Sequence, residues 1–313
     1  MNVYPAKTAE RDAWILSRRP ARAIRDPYLP YLYFVEEECA IGGAVKPVAT
    51  IFLTNRECPF RCLMCDLWRN TLSKTVPLGA IPAQIDHALL DLRPARQLKL
   101  YNSGSFFDPQ AIPPADYAAI AQRANRFERL IVENHPALTG DACLRFRDLL
   151  SGQLEIAIGL ETVHVQVLAG LNKRMTLDQF STAANFLRRR GIDLRVFILV
   201  QPPLMPAADA LEWAERSLAF AMEAGATAAT LIPTRAGNGA MEALMFEPPS
   251  LATLESAMEY GLRLKAGRVF ADLWDLRESC AHCHELRAAR LRQMNLQQVV
   301  LDRISCTRCG GAS

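Results

Sequence analysis

The sequence predicts an α/β fold, a partial barrel of six βα units followed by a small cysteine-rich, metal-binding C-terminal tail. Three observations predict it. From about residue 48, short apolar runs alternate with longer segments of helical periodicity. Three cysteines, Cys58, Cys62 and Cys65, follow directly on the first of those runs. Four more, Cys280, Cys283, Cys306 and Cys309, crowd the C-terminal end in two pairs.

In chain order, residues 1–45 read as an N-terminal extension, 46–267 as the barrel core and 268–313 as the four-cysteine tail. Strands are expected over residues 48–54, 97–102, 130–134, 154–159, 194–200 and 226–232. Their continuous apolar character suits strands buried on both faces. Between them, residues 81–92 set Ile81, Ile85, Leu89 and Leu92 at helical spacing. A second helix, 176–190, opens on a Thr176 cap and ends before Gly191, and a third, 208–224, stops at Gly225. Six units fall short of the eight of a closed barrel. Right-handed crossovers would still bring all strand C-termini to one rim, where βα loops carry chemistry.

Composition sets limits. The 313 residues are 50% hydrophobic and 22% charged, enough for one sizeable core. No apolar stretch approaches the roughly 18 residues of a membrane span, and residues 1–20 lack the pattern of a signal peptide. Nine cysteines without export signals point to a reducing cytoplasm and metal ligation rather than disulfides. The net charge of +3 excludes nothing, but residues 11–26 and 280–313 are locally arginine-rich, a composition suited to phosphate contacts.

The chemistry concentrates on the loops. Cys58-Pro-Phe-Arg-Cys62-Leu-Met-Cys65 is a C-x3-C-x2-C triplet on the first βα loop. Three thiolates cannot complete the four-cysteine set usual for a structural zinc or an Fe–S cluster, but they can hold three irons of a cubane and leave the fourth open. On the next loop, Asn102, Ser103 and Ser105 supply short polar groups around Gly104, which permits close backbone approach. The third strand ends in Glu133-Asn134-His135, where His135 is a candidate acid/base. The fourth ends at Glu161, with Lys173 and Arg174 twelve and thirteen residues on. In the tail, Cys280-x2-Cys283 and Cys306-x2-Cys309, separated by 22 residues, form two knuckles that suit zinc or a second Fe–S cluster.

The triplet spacing resembles that of the radical S-adenosylmethionine (SAM) enzymes. Further motifs narrow the resemblance: Cys62-Leu-Met-Cys65, Ser103-Gly-Ser-Phe-Phe-Asp-Pro109, Ala157-Ile-Gly-Leu-Glu161, Leu171-Asn-Lys173, Gln201-Pro-Pro203, Ile232-Pro-Thr234 and Gly237-Asn-Gly239. In this order they are similar to the archaeosine-biosynthesis radical SAM enzymes, relatives of the radical domain of the Elongator catalytic subunit. The likeness covers about residues 45–275; Lys173-Arg174 departs from the family's Lys-Gly.

The resemblance implies a [4Fe-4S] cluster on Cys58, Cys62 and Cys65 whose open iron chelates SAM. Reductive cleavage of SAM then gives a 5′-deoxyadenosyl radical, with electrons from a donor such as a flavodoxin or ferredoxin. Met64 takes the place of an aromatic that packs on adenine in most members. The loop of Asn102, Ser103, Gly104 and Ser105 meets the SAM amino group. Glu133 or Asn134 reaches ribose, Glu161 the ribose or amino group, and Lys173 or Arg174 the carboxylate. The strand through Ile198 offers adenine an apolar edge. The implied substrate is a modified nucleoside or tRNA base, acted on by a lyase or transferase. The same chemistry on a small metabolite or peptide, or a non-catalytic Fe–S and zinc binding protein, are the alternative readings.

Overall fold

The computed structural model describes residues 4–276 and 280–309. The chain opens with α1 (Thr8–Leu16), then a hairpin of β1 (Leu32–Cys39) and β2 (Val45–Phe52). Five βα steps follow: α2 (Ala80–Asp91), β3 (Gln97–Tyr101), α3 (Tyr117–Ala124), β4 (Arg129–Asn134), α4 (Asp141–Arg147), β5 (Gln153–Glu161), α5 (Val165–Gly170), α6 (Leu177–Arg188), β6 (Asp193–Val200), α7 (Ala210–Glu223) and β7 (Ala228–Pro233). The chain ends with α8 (Ala240–Ala243), α9 (Leu251–Leu264), β8 (Arg268–Ala271) and α10 (His284–Gln297).

All eight strands form one curled sheet in the order β1 to β8, parallel from β2 onward, with β1 antiparallel at one edge. The six expected strands are present, so the α/β half-barrel reading holds. Two further strands flank them. β1 lies within residues 1–45, and β8 within 268–313.

Strand alternation divides the side chains between two environments. Leu98 and Leu100, Leu130 and Val132, Leu154, Ile156 and Ile158, and Leu194, Val196 and Ile198 join the main apolar core with the surrounding helices. The other face looks into the barrel. Its floor is charged: Glu38, Lys99, Glu155, Arg195 and Arg268 are buried and mutually paired. Above the floor, Phe34, Phe52, Tyr101 and Phe197 stack in a chain of ring contacts with centroids 5.8–6.1 Å apart. Glu133 and Gly159 follow at the C-terminal mouth.

The tail helix α10 packs against both edge strands, closing the gap between them. Asn295 accepts a hydrogen bond from the Ala271 amide (2.8 Å) and donates to its carbonyl (2.9 Å). Gln298 does the same for Val269, at 2.7 and 2.9 Å. Two side-chain amides thus satisfy the open edge of β8 as a neighbouring strand would.

Candidate functional site

The three-cysteine loop leaves β2 at the C-terminal mouth and is pinned by main-chain and amide contacts from two other loops. Leu63 N–H donates to Leu171 O at 2.9 Å. Asn172 Nδ2 donates to Arg61 O at 2.7 Å. Asn238 Nδ2 donates to Leu63 O (2.8 Å) and Cys65 O (3.2 Å), while its Oδ1 accepts from Met241 N–H. Sequence reasoning missed this use of Asn172 and Asn238. Both stand in motifs that signal the position, but a motif does not show which carbonyl an amide will meet.

Burial pushes the thiols of Cys58, Cys62 and Cys65 up, to about 11, 12 and 12. Amide donors at Phe60 and Leu67 and the charges of Lys173 and Arg19 oppose that rise. Met64 is half-buried and packs against the main core.

The second loop turns under Glu133. Its carboxylate accepts the Asn102 N–H at 2.9 Å and is also bonded by the amides of Ser103 and Gly104. Burial raises the Glu133 carboxyl to about 7, against the pull of those three amides and Lys173. Ser103 has φ +52° and shares a 3.0 Å hydrogen bond with the Tyr31 hydroxyl. At Gly104 a Cβ would lie 3.2 Å from that of Cys58, so only glycine lets the two loops approach this closely without displacement. Ser105 Oγ accepts the His135 N–H at 3.0 Å.

Both His135 ring nitrogens are engaged by main chain: Nδ1 accepts from Ala137 N–H, so Nε2 carries the proton and donates to Lys173 O at 3.0 Å. The ring stacks on Phe60 with centroids 3.8 Å apart. Burial and the nearby Lys173 charge lower its pKa to about 4. In this arrangement His135 ties the first, third and fourth loops together as a neutral imidazole.

Glu161, at φ +66°, forms a buried ion pair with Lys173 at 2.5 Å. A Cβ on Gly159 would collide with both Glu161 Oε1 and Lys173 Nζ. Arg174 points elsewhere, to Asp12 of α1. Ile198 lies on the core face of β6, and its neighbour Phe197 on the barrel face.

Three strand ends on one rim carry non-glycine residues in the left-handed region: Ser103, Glu161 and Gln201. Such conformations cost about 1–3 kcal/mol each and cluster where geometry is tied to function. The same rim holds buried polar atoms with no protein partner: both amide atoms of Asn102, Oγ1 of Thr54 and Thr234, and Oδ1 of Asn55 and Asn134. A buried polar group without a partner costs about 1–3 kcal/mol, and a polar ligand at the mouth would relieve it. These residues therefore fit a polar, zwitterionic molecule such as SAM, beside three cysteine sulfurs that fit an iron cluster.

In sequence the chain is 26% identical to archaeosine synthase subunit beta from Methanosarcina acetivorans over 192 residues, 57% of this chain and 55% of that one. The resemblance read from the motifs holds. No family model matches. The chain spans 66% and 55% of the length of two curated relatives that it matches. Among solved structures, methylornithine synthase superposes with a TM-score of 0.58 at 13% identity, covering 81% of this chain and 70% of that one, and so shares the fold. A radical SAM methyltransferase from Kitasatospora setae, solved with cobalamin and a [4Fe-4S] cluster, overlaps 58% of this chain and 36% of its own, with a TM-score of 0.44 and 16% identity.

The tail quartet is also assembled. The Cys280, Cys283, Cys306 and Cys309 sulfurs lie within 4.8 Å of one another, with Cys280–Cys306 at 3.8 Å and Cys283–Cys309 at 3.6 Å. Burial holds the Cys283 thiol up at about 12, whereas amide donors from Cys309 and Arg308 bring Cys306 down to about 6.

The arginines expected to face phosphates are largely spent inside the protein. Arg287 and Arg290 are buried on Glu255 and Glu259 of α9, and Arg303 joins them. Arg19 and Arg22 meet Glu57 beside the first cysteine, and Arg25 meets Asn70. Charge counting along a sequence does not reveal these partners. A cavity of about 530 Å3 remains between residues 20–23 and the turn after Cys65, lined by Arg22, Arg69, Asp66 and Asn70.

Glu133 gives a pH prediction. Its folded pKa of about 7 lies above the ordinary 4.5, so its contribution is complete below pH 4.5 and is lost as pH rises through 7. Chemical denaturation of the metal-free chain should show stability falling across that window by a few kcal/mol, since a tenfold change in proton affinity is worth about 1.36 kcal/mol. Glu133→Gln should flatten the fall; an unchanged profile would remove Glu133 as its source.

Proposed function

We propose that this chain is a radical SAM enzyme acting on a modified nucleoside, within tRNA. The observation that carries the reading is the juxtaposition of the three-thiolate loop with a mouth of buried, partnerless polar atoms. It stands in a chain similar to archaeosine synthase subunit beta. When bound, a [4Fe-4S] cluster and SAM supply reductive cleavage to a 5′-deoxyadenosyl radical. Cys58, Cys62 and Cys65 hold the cluster. Glu133, fixed by the 102–104 amides, would face the SAM amine, and Lys173 would exchange Glu161 for the SAM carboxylate. Asn102 offers a donor and an acceptor to ribose, and the Phe52, Tyr101 and Phe197 layer closes the mouth from below.

The tail cysteines support a single ion. Tetrahedral zinc with Zn–S of about 2.3 Å sets its sulfurs about 3.8 Å apart, which matches the two short pairs. A second Fe–S cluster is the alternative that elemental analysis excludes or establishes. The relative's designation as a subunit supports a partner chain, and a flavodoxin or ferredoxin suits the reductant in a reducing cytoplasm. No described helix is long and apolar enough to cross a membrane.

Anaerobic iron reconstitution followed by assay of 5′-deoxyadenosine, with and without tRNA, tests the reading. Release stimulated by the tRNA is expected; no release from the reconstituted protein overturns it. For the RNA itself, Arg69, half-buried at the open cavity and bonded to Gly237 O, is the cation to examine. Arg69→Gln should weaken tRNA binding and lower the log–log salt slope by about 1. A slope equal to wild type would take the cavity out of the RNA path.

A further inference from the structure

The radical SAM reading gives residues 4–26 no part in the three-cysteine site, yet this arm is built onto the three-cysteine loop at several points. Ile15 of α1 is buried against Leu63, inside the Cys62–Cys65 segment, and against Ala240, with Tyr4, Trp14 and Leu244 around them. Tyr4 Oη donates to Gly170 O at 2.9 Å and Arg11 to Ala169 O at 2.6 Å, fixing α1 to the end of α5. Asp12 accepts from Asn172 Nδ2 at 2.8 Å, the same amide group that holds Arg61 O. Farther along, the arm's main chain crosses directly over Gly239: a Cβ there would collide with Arg18 O, and the residue has φ +86°. A side chain at position 239 would therefore lift the arm off the loop.

Charge follows the same path. Arg19 reaches Glu57, the residue before Cys58, at 2.7 Å, with both side chains about nine-tenths buried. Arg22 and Arg61 share that carboxylate, and Arg61 also binds Cys58 O. Three guanidinium groups on one carboxylate leave a local surplus of positive charge beside the thiolates. Of the three, Arg19 is the most enclosed, its side chain 8% exposed. Its guanidinium lies over Trp68, 4.7 Å from the ring centroid, which fixes its position.

We propose that the N-terminal arm is a working part of the three-cysteine site, in which Ile15 seals Leu63, at the centre of the Cys62–Cys65 segment, from solvent and Arg19 is a positioning residue that supplies positive charge beside the first cysteine. The sealing half stands on the packing alone. The charge half rests on the cluster reading above, because a cluster held by three thiolates is anionic and gains from a fixed cation in a poorly screened site.

Two measurements separate these halves. In the iron-free full-length chain, alkylation by a bulky maleimide is followed at each cysteine by peptide mass. Ile15→Asp should accelerate Cys62 and Cys65 by about tenfold, because removing a buried apolar side chain lets the segment open more often. Cys143, buried in the core, should keep its rate and so report that the fold is intact. In the reconstituted chain, Arg19→Gln should shift the cluster midpoint potential to more negative values, and Arg19→Lys should restore it. Arg216→Gln, an exposed control on α7, should move neither readout. Unchanged alkylation in Ile15→Asp with Cys143 still protected overturns the seal, and an unchanged potential in Arg19→Gln overturns the charge role. A wild-type chain that retains no iron would overturn the cluster reading and the charge role together, while alkylation still decides the seal.

Discussion

Replacing Cys62 with alanine will abolish 5′-deoxyadenosine formation and remove the iron that the three-cysteine loop retains, with little change in folding stability. The loop does not depend on the Cys62 side chain for its shape. Leu63 N–H on Leu171 O, Asn172 on Arg61 O and Asn238 on Leu63 O and Cys65 O hold it through groups the substitution leaves in place. Unfolding free energy should therefore stay within about 1 kcal/mol of wild type, the range of changes that create no large cavity or unpaired charge. Two thiolates, by contrast, cannot fix the three corners of a cubane that leave one iron open for a ligand. Iron and sulfide after anaerobic reconstitution, compared with the product assay, check the prediction. Equal product release by mutant and wild type would mean that this loop is not where SAM is cleaved. Tail-bound metal should survive the substitution, since the Cys280–Cys309 group is independently assembled.

Much of this site was legible in the sequence because cysteine spacing and apolar runs are local signals. The triplet, the glycine of the next loop and Glu161 all stand on one rim, as βα periodicity predicts. Two strands were not legible. β1 carries Glu36 and Glu38 on its barrel face, so its pattern lacks the continuous apolar character of its neighbours; its partners are Lys99 and Arg195, far away in sequence. β8 is only four residues long and is completed by side-chain amides of α10. The arginines were misread for a related reason. Arg287 and Arg290 look like a basic helix face until Glu255 and Glu259 of α9 are placed against them. Spacing shows where cations lie along a helix, but only the fold shows which carboxylates they meet.

Those buried charges also carry the largest stability prediction. Glu155 is fully buried on β5 and receives Arg195 at 2.6 Å, Arg268 at 3.1 Å and Arg129 at 3.2 Å. It links β4, β5, β6 and β8 across the barrel floor. Glu155→Ala removes the acceptor and leaves guanidinium groups in a site too enclosed to hydrate them. Arg195 keeps Glu38 at 2.6 Å, but Arg268 is left with the Cys39 carbonyl at 3.2 Å, the Thr227 carbonyl at 3.4 Å and Glu38 at 3.8 Å. Breaking a buried pair from one side costs about 3–5 kcal/mol, a large part of a typical domain's stability. Urea unfolding should register that loss, and Glu155→Gln, which keeps an acceptor of the same shape, should lose less. The pH dependence has a defined sign. Burial works against ionisation of Glu155, but Arg195 and Arg268 outweigh it and hold the carboxyl below its usual range. Its contribution is therefore complete above the unfolded value of about 4.5 and is lost as pH falls towards the depressed folded value. The gap between wild type and Glu155→Ala should be widest near neutrality and narrow below about pH 4.5. A gap independent of pH would show that the floor is held by packing and not by the ionised carboxylate.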